Sequence, residues 1–142
     1  MLINDRKINI ALVGCGRIAE NHLKAINHHT NTLNLVGVCD INPDAASKTA
    51  ALFDVPAFSS LDDMLKHTQP DIVSLCTPSG LHPEQCIQVA LAGCHVLTEK
   101  PMATRWQDGL DMVKACDRAG VSLFVVKQNR LNNTIQLLKQ AI

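Results

Sequence analysis

The residues of this 142-residue sequence best suited to chemistry stand where apolar runs end. Residues 8–13 pass directly into Gly14-Cys15-Gly16-Arg17-Ile18-Ala19, a G-x-G-x-x-A run that opens a helical pattern. Such a run can hold a pyrophosphate. Gly14 permits the tight turn off a strand, Gly16 lets bare backbone approach the phosphates, and Ala19 is small enough for close helix-to-sheet packing. Cys15, Arg17 and Ile18 complete the turn, and the helix start offers unpaired N–H groups to phosphate. Taken alone, a glycine pair also punctuates purely structural strand-to-helix turns. A second apolar run, residues 33–39, ends in Asp40. That carboxylate lies about 20 residues beyond the motif, the spacing at which it accepts hydrogen bonds from the ribose hydroxyls of an adenosine. It would repel a 2′-phosphate, so the pattern predicts NAD rather than NADP. The other reading of Asp40 is a turn carboxylate just before Asn42-Pro43-Asp44, where Asn42 caps a helix and Pro43 takes its first position.

The elements that must position these residues alternate along the chain. After the first two strands, residues 43–53 read as a helix, 55–58 as a short edge strand, and 61–67 as a short helix capped by Ser60. Residues 71–76 form a buried-strand pattern, 83–92 a helix stopped by Gly93, and 94–98 a fifth strand. Thr104-Arg105-Trp106-Gln107 has the form of a capping box, opening a helix whose Leu110, Val113 and Cys116 share one stripe until Gly120. Trp106 reads there as a packing residue. Residues 121–126 form the sixth strand, and 134–141 a last helix. Six strands with intervening helices predict an α/β doubly wound parallel Rossmann sheet in the order 3-2-1-4-5-6. In that order the carboxyl ends of strands 1 and 4 flank a crevice. Thr77-Pro78-Ser79-Gly80 follows strand 4, Glu99-Lys100-Pro101 strand 5, and Lys127-Gln128-Asn129-Arg130 strand 6, so the polar chemistry collects on one edge.

Composition narrows the class. Hydrophobic residues make up 46% of the chain, yet there are three Phe, one Trp and no Tyr, so the core is aliphatic, as helices on both faces of a parallel sheet require. Thirteen basic residues balance thirteen acidic ones, which leaves no general pull towards nucleic acid or an anionic membrane. Six cysteines lie scattered in apolar segments without a C-x-x-C pair, the pattern of buried thiols in a cytoplasmic protein. Met1–Lys7 lacks the apolar region of a leader, no run reaches the length of a membrane span, and no His/Cys spacing predicts a metal site.

Glu99-Lys100-Pro101, with Gly14–Ala19, Asp40, Thr77-Pro78-Ser79-Gly80-Leu81-His82 and Ala92-Gly93-Cys94-His95-Val96, resembles the N-terminal half of the Gfo/Idh/MocA oxidoreductases. Within that family, residues 125–134 look most like the UDP-N-acetylglucosaminuronate 3-dehydrogenases of bacterial surface-polysaccharide and O-antigen (lipopolysaccharide) biosynthesis. The resemblance implies a nucleotide-sugar substrate and hydride transfer from its C3 hydroxyl to NAD. It places Lys100 beside the nicotinamide and the reacting hydroxyl as the catalytic residue. Removing hydride from a secondary alcohol requires loss of the hydroxyl proton, and a positive nicotinamide ring favours the proton-accepting form of a neighbouring amine. The same resemblance implies cofactor contacts from Gly14, Cys15, Gly16, Arg17, Ile18, Asp40, Thr77, Pro78, Ser79, His82, Glu99, Lys100 and Gln128, and a cis peptide before Pro101. His82 either lines the cofactor cleft or closes the loop before Pro83. Lys127 and Gln128 either meet nicotinamide and substrate carboxylate or are strand-end surface groups.

Members of the family carry a second α/β domain with a D-x-G-x-H-like motif, which this sequence lacks. Residues 1–130 are therefore expected to be the NAD-binding domain and 131–142 the start of the connection to that domain. The segment alone would turn over sugar nucleotide slowly or not at all, and the full-length protein would be a homo-oligomer. The competing readings are a dehydrogenase of another hexose or inositol, a non-catalytic nucleotide-sensing regulatory domain, and a purely structural domain.

Overall fold

The computed structural model describes residues 5–141. Residues 1–4 and 142 lie outside that range, and with residues 1–4 most of the Met1–Lys7 stretch on which the leader expectation rests. Six strands, β1 (Ile8–Val13), β2 (Leu33–Cys39), β3 (Ala57–Phe58), β4 (Ile72–Leu75), β5 (His95–Thr98) and β6 (Leu123–Val125), form one sheet in the order β3-β2-β1-β4-β5-β6. Every pairing is parallel, as the doubly wound order requires.

Both faces are covered by helices: α1 (Ala19–His28), α2 (Pro43–Phe53), α3 (Leu61–Thr68), α4 (His82–Leu91) and α5 (Trp106–Ala119), with α6 (Asn133–Ala141) following β6. Strand residues alternate between two cores. Leu12, Val38 and Cys76 pack with Ala19 and Leu23 of α1 and Ala50 of α2. Val13, Val73, Leu75 and Val96 pack on the other face with Met64 of α3, Cys86 and Val89 of α4, and Met112 and Cys116 of α5. Burial on both faces is why β1 and β4 read as continuous apolar runs rather than as alternating patterns.

Two helix starts follow their sequence signals. The Asn42 side chain accepts from the backbone N–H of Asp44 at 3.0 Å and of Ala45 at 3.4 Å, with Pro43 in the first turn of α2. The Ser60 hydroxyl accepts from Asp63 N–H at 3.4 Å and caps α3.

The start of α5 differs from its signal. Its cap is Arg105, with no side-chain hydrogen bond, so the Thr104 capping box does not form. Its buried residues are Gly109, Met112 and Cys116, whereas Val113 is 42% and Trp106 81% exposed. Packing at Gly109 sets this rotation: a Cβ there would stand 3.1 Å from Met102 Cε, so the loop after β5 closes against the glycine face. Leu110 and Val113 are turned aside, and Trp106 stands in solvent rather than in the core. The edge strands β3 and β6 are also shorter than their apolar runs, since each pairs along one side only. Helix α4 begins at His82, after a 3₁₀ turn over Ser79–Leu81.

Candidate functional site

The site forms where β1 and β4 lie side by side and the chain leaves them towards opposite edges of the sheet. Gly14 N–H donates to Cys39 O at 2.8 Å and Cys76 N–H to Val13 O at 2.7 Å, so the sheet's hydrogen bonds run to the mouth of the crevice. Gly14 has φ +90°, and a Cβ on it would stand 2.8 Å from the carbonyl carbon of Cys76 and 2.9 Å from Thr77 N. No side chain fits that position. A Cβ on Gly16 would touch nothing within 4 Å, so open space lies over bare backbone where a pyrophosphate must approach.

Asp40 takes the turn position of its second sequence reading. Its Oδ2 accepts Cys15 N–H at 2.7 Å and its Oδ1 accepts Asn42 N–H at 2.8 Å. It is thus a turn carboxylate that stands at the glycine-rich turn, and each oxygen retains a lone pair for a ribose hydroxyl. Arg17 and Ile18 are exposed on the turn, and no side chain caps α1, whose first turn carries backbone bonds from Ala19 N–H to Gly16 O at 3.0 Å and from Asn21 N–H to Ile18 O at 3.1 Å. Cys15 is half-buried, and burial pushes its thiol upward. Burial also pushes Cys39 to about 11 and Cys76 to about 12, so these thiols are protonated packing groups and not nucleophiles at neutral pH. Among the described residues all six cysteines are free thiols.

Across the crevice, the Thr77 hydroxyl donates to Gln85 Oε1 of α4 at 2.5 Å, and Pro78 and Ser79 lead into the 3₁₀ turn. His82 is 1% exposed. Its Nε2 lies 2.9 Å from Thr77 O and its Nδ1 3.1 Å from Pro101 O. The buried ring thus bridges the loops after β4 and β5, and in its neutral form it donates to one of these two carbonyl oxygens. Glu99 is likewise turned inward, at 8% exposure. Its Oε1 meets His22 Nε2 at 2.8 Å and its Oε2 accepts the backbone N–H of Lys100 at 3.2 Å. Glu99 is thus tied to α1 through one oxygen and to the Lys100 backbone through the other.

Lys100 precedes a cis bond to Pro101 and is exposed. It opens onto a cavity of about 640 Å³ shared with Lys127, Gln128, Asn129 and Arg130 over Val125. No acidic side chain lines that cavity, so its charge suits an anionic group. The sequence signals thus gather in two places, the glycine turn with Asp40 and the lysine cavity. His22 was not legible as part of either. Its partners lie 52 and 77 residues away, and the available signal was only a polar residue beside the buried α1 positions Ala19, Leu23 and Ile26. Among the described residues no group of three His, Cys, Asp or Glu could hold a metal ion, and no helix is long and apolar enough to cross a membrane.

The bare backbone at Gly16, the uncapped α1 and the Asp40 carboxylate fit a dinucleotide, and together with the sheet order they define an NAD-binding Rossmann domain of the oxidoreductase type. The Gfo/Idh/MocA family profile, described as an oxidoreductase family with an NAD-binding Rossmann fold, matches residues 8–127, and the chain belongs to that family.

Among solved structures, the chain is similar to the WlbA dehydrogenase from Bordetella pertussis in complex with NADH and UDP-GlcNAcA. The two are 59% identical with a TM-score of 0.94, over 96% of this chain and 42% of that one. The WlbA dehydrogenase from Chromobacterium violaceum, also in complex with NADH and UDP-GlcNAcA, is 58% identical with a TM-score of 0.95, over 98% of this chain and 40% of that one. The 2,7-anhydro-N-acetylneuraminate hydratase of Escherichia coli is 32% identical over 95% of this chain and 36% of its own length. The chain therefore spans well under half the length of these relatives.

Proposed function

We propose that this chain is the cofactor-binding part of an NAD-dependent dehydrogenase that oxidises the C3 hydroxyl of UDP-N-acetylglucosaminuronate for bacterial surface polysaccharide, including lipopolysaccharide O-antigen. The observation that carries the reading is the contact that ties Lys100 to the helix of the dinucleotide turn: Glu99, the residue before Lys100, meets His22 of α1 at 2.8 Å, and Lys100 itself opens onto a cavity with Lys127, Gln128, Asn129 and Arg130 over Val125 and Ile135. The similarity to the two WlbA dehydrogenases supports this choice of sugar. Residues 1–130 make up the cofactor domain, and 131–142 begin the connection to a second domain that completes the substrate site.

NAD, when bound, supplies the hydride acceptor. The chain's own residues do the rest. Gly14 and Cys15 shape the turn, Gly16, Arg17 and Ile18 present backbone to the pyrophosphate, Asp40 takes the ribose hydroxyls, and Thr77, Pro78 and Ser79 form the opposite wall. As the free amine, Lys100 accepts the hydroxyl proton while the C–H bond breaks and the alcohol becomes a ketone. Gln128, with Lys127 and Arg130, faces nicotinamide and the anionic part of the substrate. Six free thiols suit a reducing, cytoplasmic compartment, and the full-length protein acts as a homo-oligomer without nucleic acid or membrane partners.

The test is NADH formation from UDP-N-acetylglucosaminuronate by the full-length protein and its Lys100→Ala variant. Loss of a general base predicts a fall in kcat of roughly a hundredfold or more. Turnover unaltered by the substitution, or none with this substrate, contradicts the reading. The second reading, a dehydrogenase of another hexose or inositol, draws on similarity to a D-glucoside 3-dehydrogenase from Escherichia coli at 28% identity and an inositol 2-dehydrogenase from Corynebacterium glutamicum at 28%. The same assay with glucosides and inositols separates the two.

A further inference from the structure

Beneath Lys100 runs a buried chain of polar side chains that the chemistry above does not use. His22 of α1 and Glu99 meet with side chains 11% and 10% exposed. The other ring nitrogen of His22, Nδ1, lies 2.9 Å from the Ser74 hydroxyl, which is fully buried in β4, and that oxygen lies 3.7 Å from Cys76 Sγ. A carboxylate so enclosed is costly unless both oxygens are partnered. Here they are, one by His22 and one by the Lys100 backbone N–H.

The carboxylate only accepts, so Nε2 carries a hydrogen. In a neutral ring Nδ1 then accepts the Ser74 hydroxyl, whose oxygen takes the Cys76 S–H. A protonated ring would donate to Glu99 and Ser74 alike. In both states Glu99 is held from the same side. Among the described residues no buried side-chain nitrogen or oxygen is left without a partner.

We propose that His22 is a positioning residue for Lys100. It fixes Glu99, and through Glu99 the backbone of Lys100, to the helix that begins at the dinucleotide turn. The proton-accepting amine and the cofactor cradle are thereby set at one distance by a single side-chain contact across 77 residues. The inference rests on the reading of Lys100 as the base. A role in folding alone would lower stability and leave turnover per folded molecule unchanged.

The experiment compares His22→Phe, His22→Gln and Lys100→Ala in the full-length protein. Phenylalanine keeps a ring and removes both hydrogen bonds, and the glutamine amide restores a donor near the Nε2 position. Loss of a hydrogen bond to a charged group predicts a kcat lowered roughly tenfold to a hundredfold in His22→Phe, with NADH affinity and substrate KM changed by no more than about threefold. His22→Gln should recover most of it. Independently of activity, the Lys100 amide proton resonance in the NADH-bound protein should move upfield in His22→Phe and return in His22→Gln.

Unchanged kcat in His22→Phe, equal losses in the Phe and Gln variants, or a loss confined to NADH affinity overturns the proposal. Lys100→Ala with full turnover overturns instead the assignment of the base. If His22→Phe does not fold, Ser74→Ala removes the bond that holds the ring and should lower kcat several-fold with KM unchanged; an unchanged kcat there is equally contradictory.

Discussion

The Asp40 carboxylate closes the glycine-rich turn by accepting the Cys15 backbone N–H at 2.7 Å, across 25 residues of sequence. The residue read as a ribose ligand is thus also part of the wall that shapes the phosphate site.

Asp40→Ala is expected to lower both stability and cofactor affinity, because it strips the partner from Cys15 and Asn42 N–H as well as from the ribose. A hydrogen bond to a charged group contributes about 1.5–3 kcal/mol. Urea unfolding should show a loss of about that size, and NADH affinity should fall at least about tenfold. Asp40→Asn keeps an acceptor oxygen and loses the charge. It should recover part of the stability while narrowing the preference for NADH over NADPH in a binding titration.

Much of this arrangement was legible because it is written locally. The strands are short apolar runs, the caps at Asn42 and Ser60 are set by residues two and three positions on, and the turn needs glycine for steric reasons at Gly14. What was not legible depends on contacts far apart in sequence. The capping-box pattern at Thr104 lost to the packing of Met102 on Gly109, which rotates α5 and leaves Trp106 exposed. The contacts of His82 to Thr77 O and Pro101 O, the second 19 residues away, leave no local trace either. The His22–Glu99 contact joins α1 to the end of β5 and leaves no periodic trace.

The two glycines of the turn should separate folding from binding. Gly14→Ala places a Cβ 2.8 Å from backbone at a φ of +90° and should destabilise by more than about 2 kcal/mol, so the protein unfolds well below the wild-type temperature. Gly16→Ala meets no atom within 4 Å and should change stability by less than about 1 kcal/mol, while NADH affinity falls at least about tenfold as the methyl enters the phosphate space. Thermal unfolding and NADH titration of both variants check the contrast.

Buried thiols predict a loss of stability in alkali. In the unfolded chain a thiol ionises near its ordinary value of 9.0, whereas burial holds Cys39 to about 11 and Cys76 to about 12 in the fold. Folded values above unfolded ones mean that this contribution is fully present below about pH 9 and is lost as pH rises towards 11 and 12. Urea midpoints should therefore decline over that window. Cys76→Ala should make the decline shallower, and an unchanged slope would contradict the assignment.

Trp106→Ala should leave the stability of residues 5–141 within about 0.5 kcal/mol of wild type, because the indole is 81% exposed. A loss of 2 kcal/mol or more in urea unfolding would show that the indole is packed after all.

The central claim is that the turn at Gly14–Ala19, with Asp40, binds NAD(H). Calorimetric titration of this chain with NADH and NADPH, paired with thermal unfolding in each nucleotide, tests it most directly. At a hundred times its dissociation constant NADH should add about 2.7 kcal/mol of stability. NADPH at the same concentration should add less, and Asp40→Ala should remove most of the difference. Equal stabilisation by the two nucleotides, or none by either at millimolar concentration, would contradict the account.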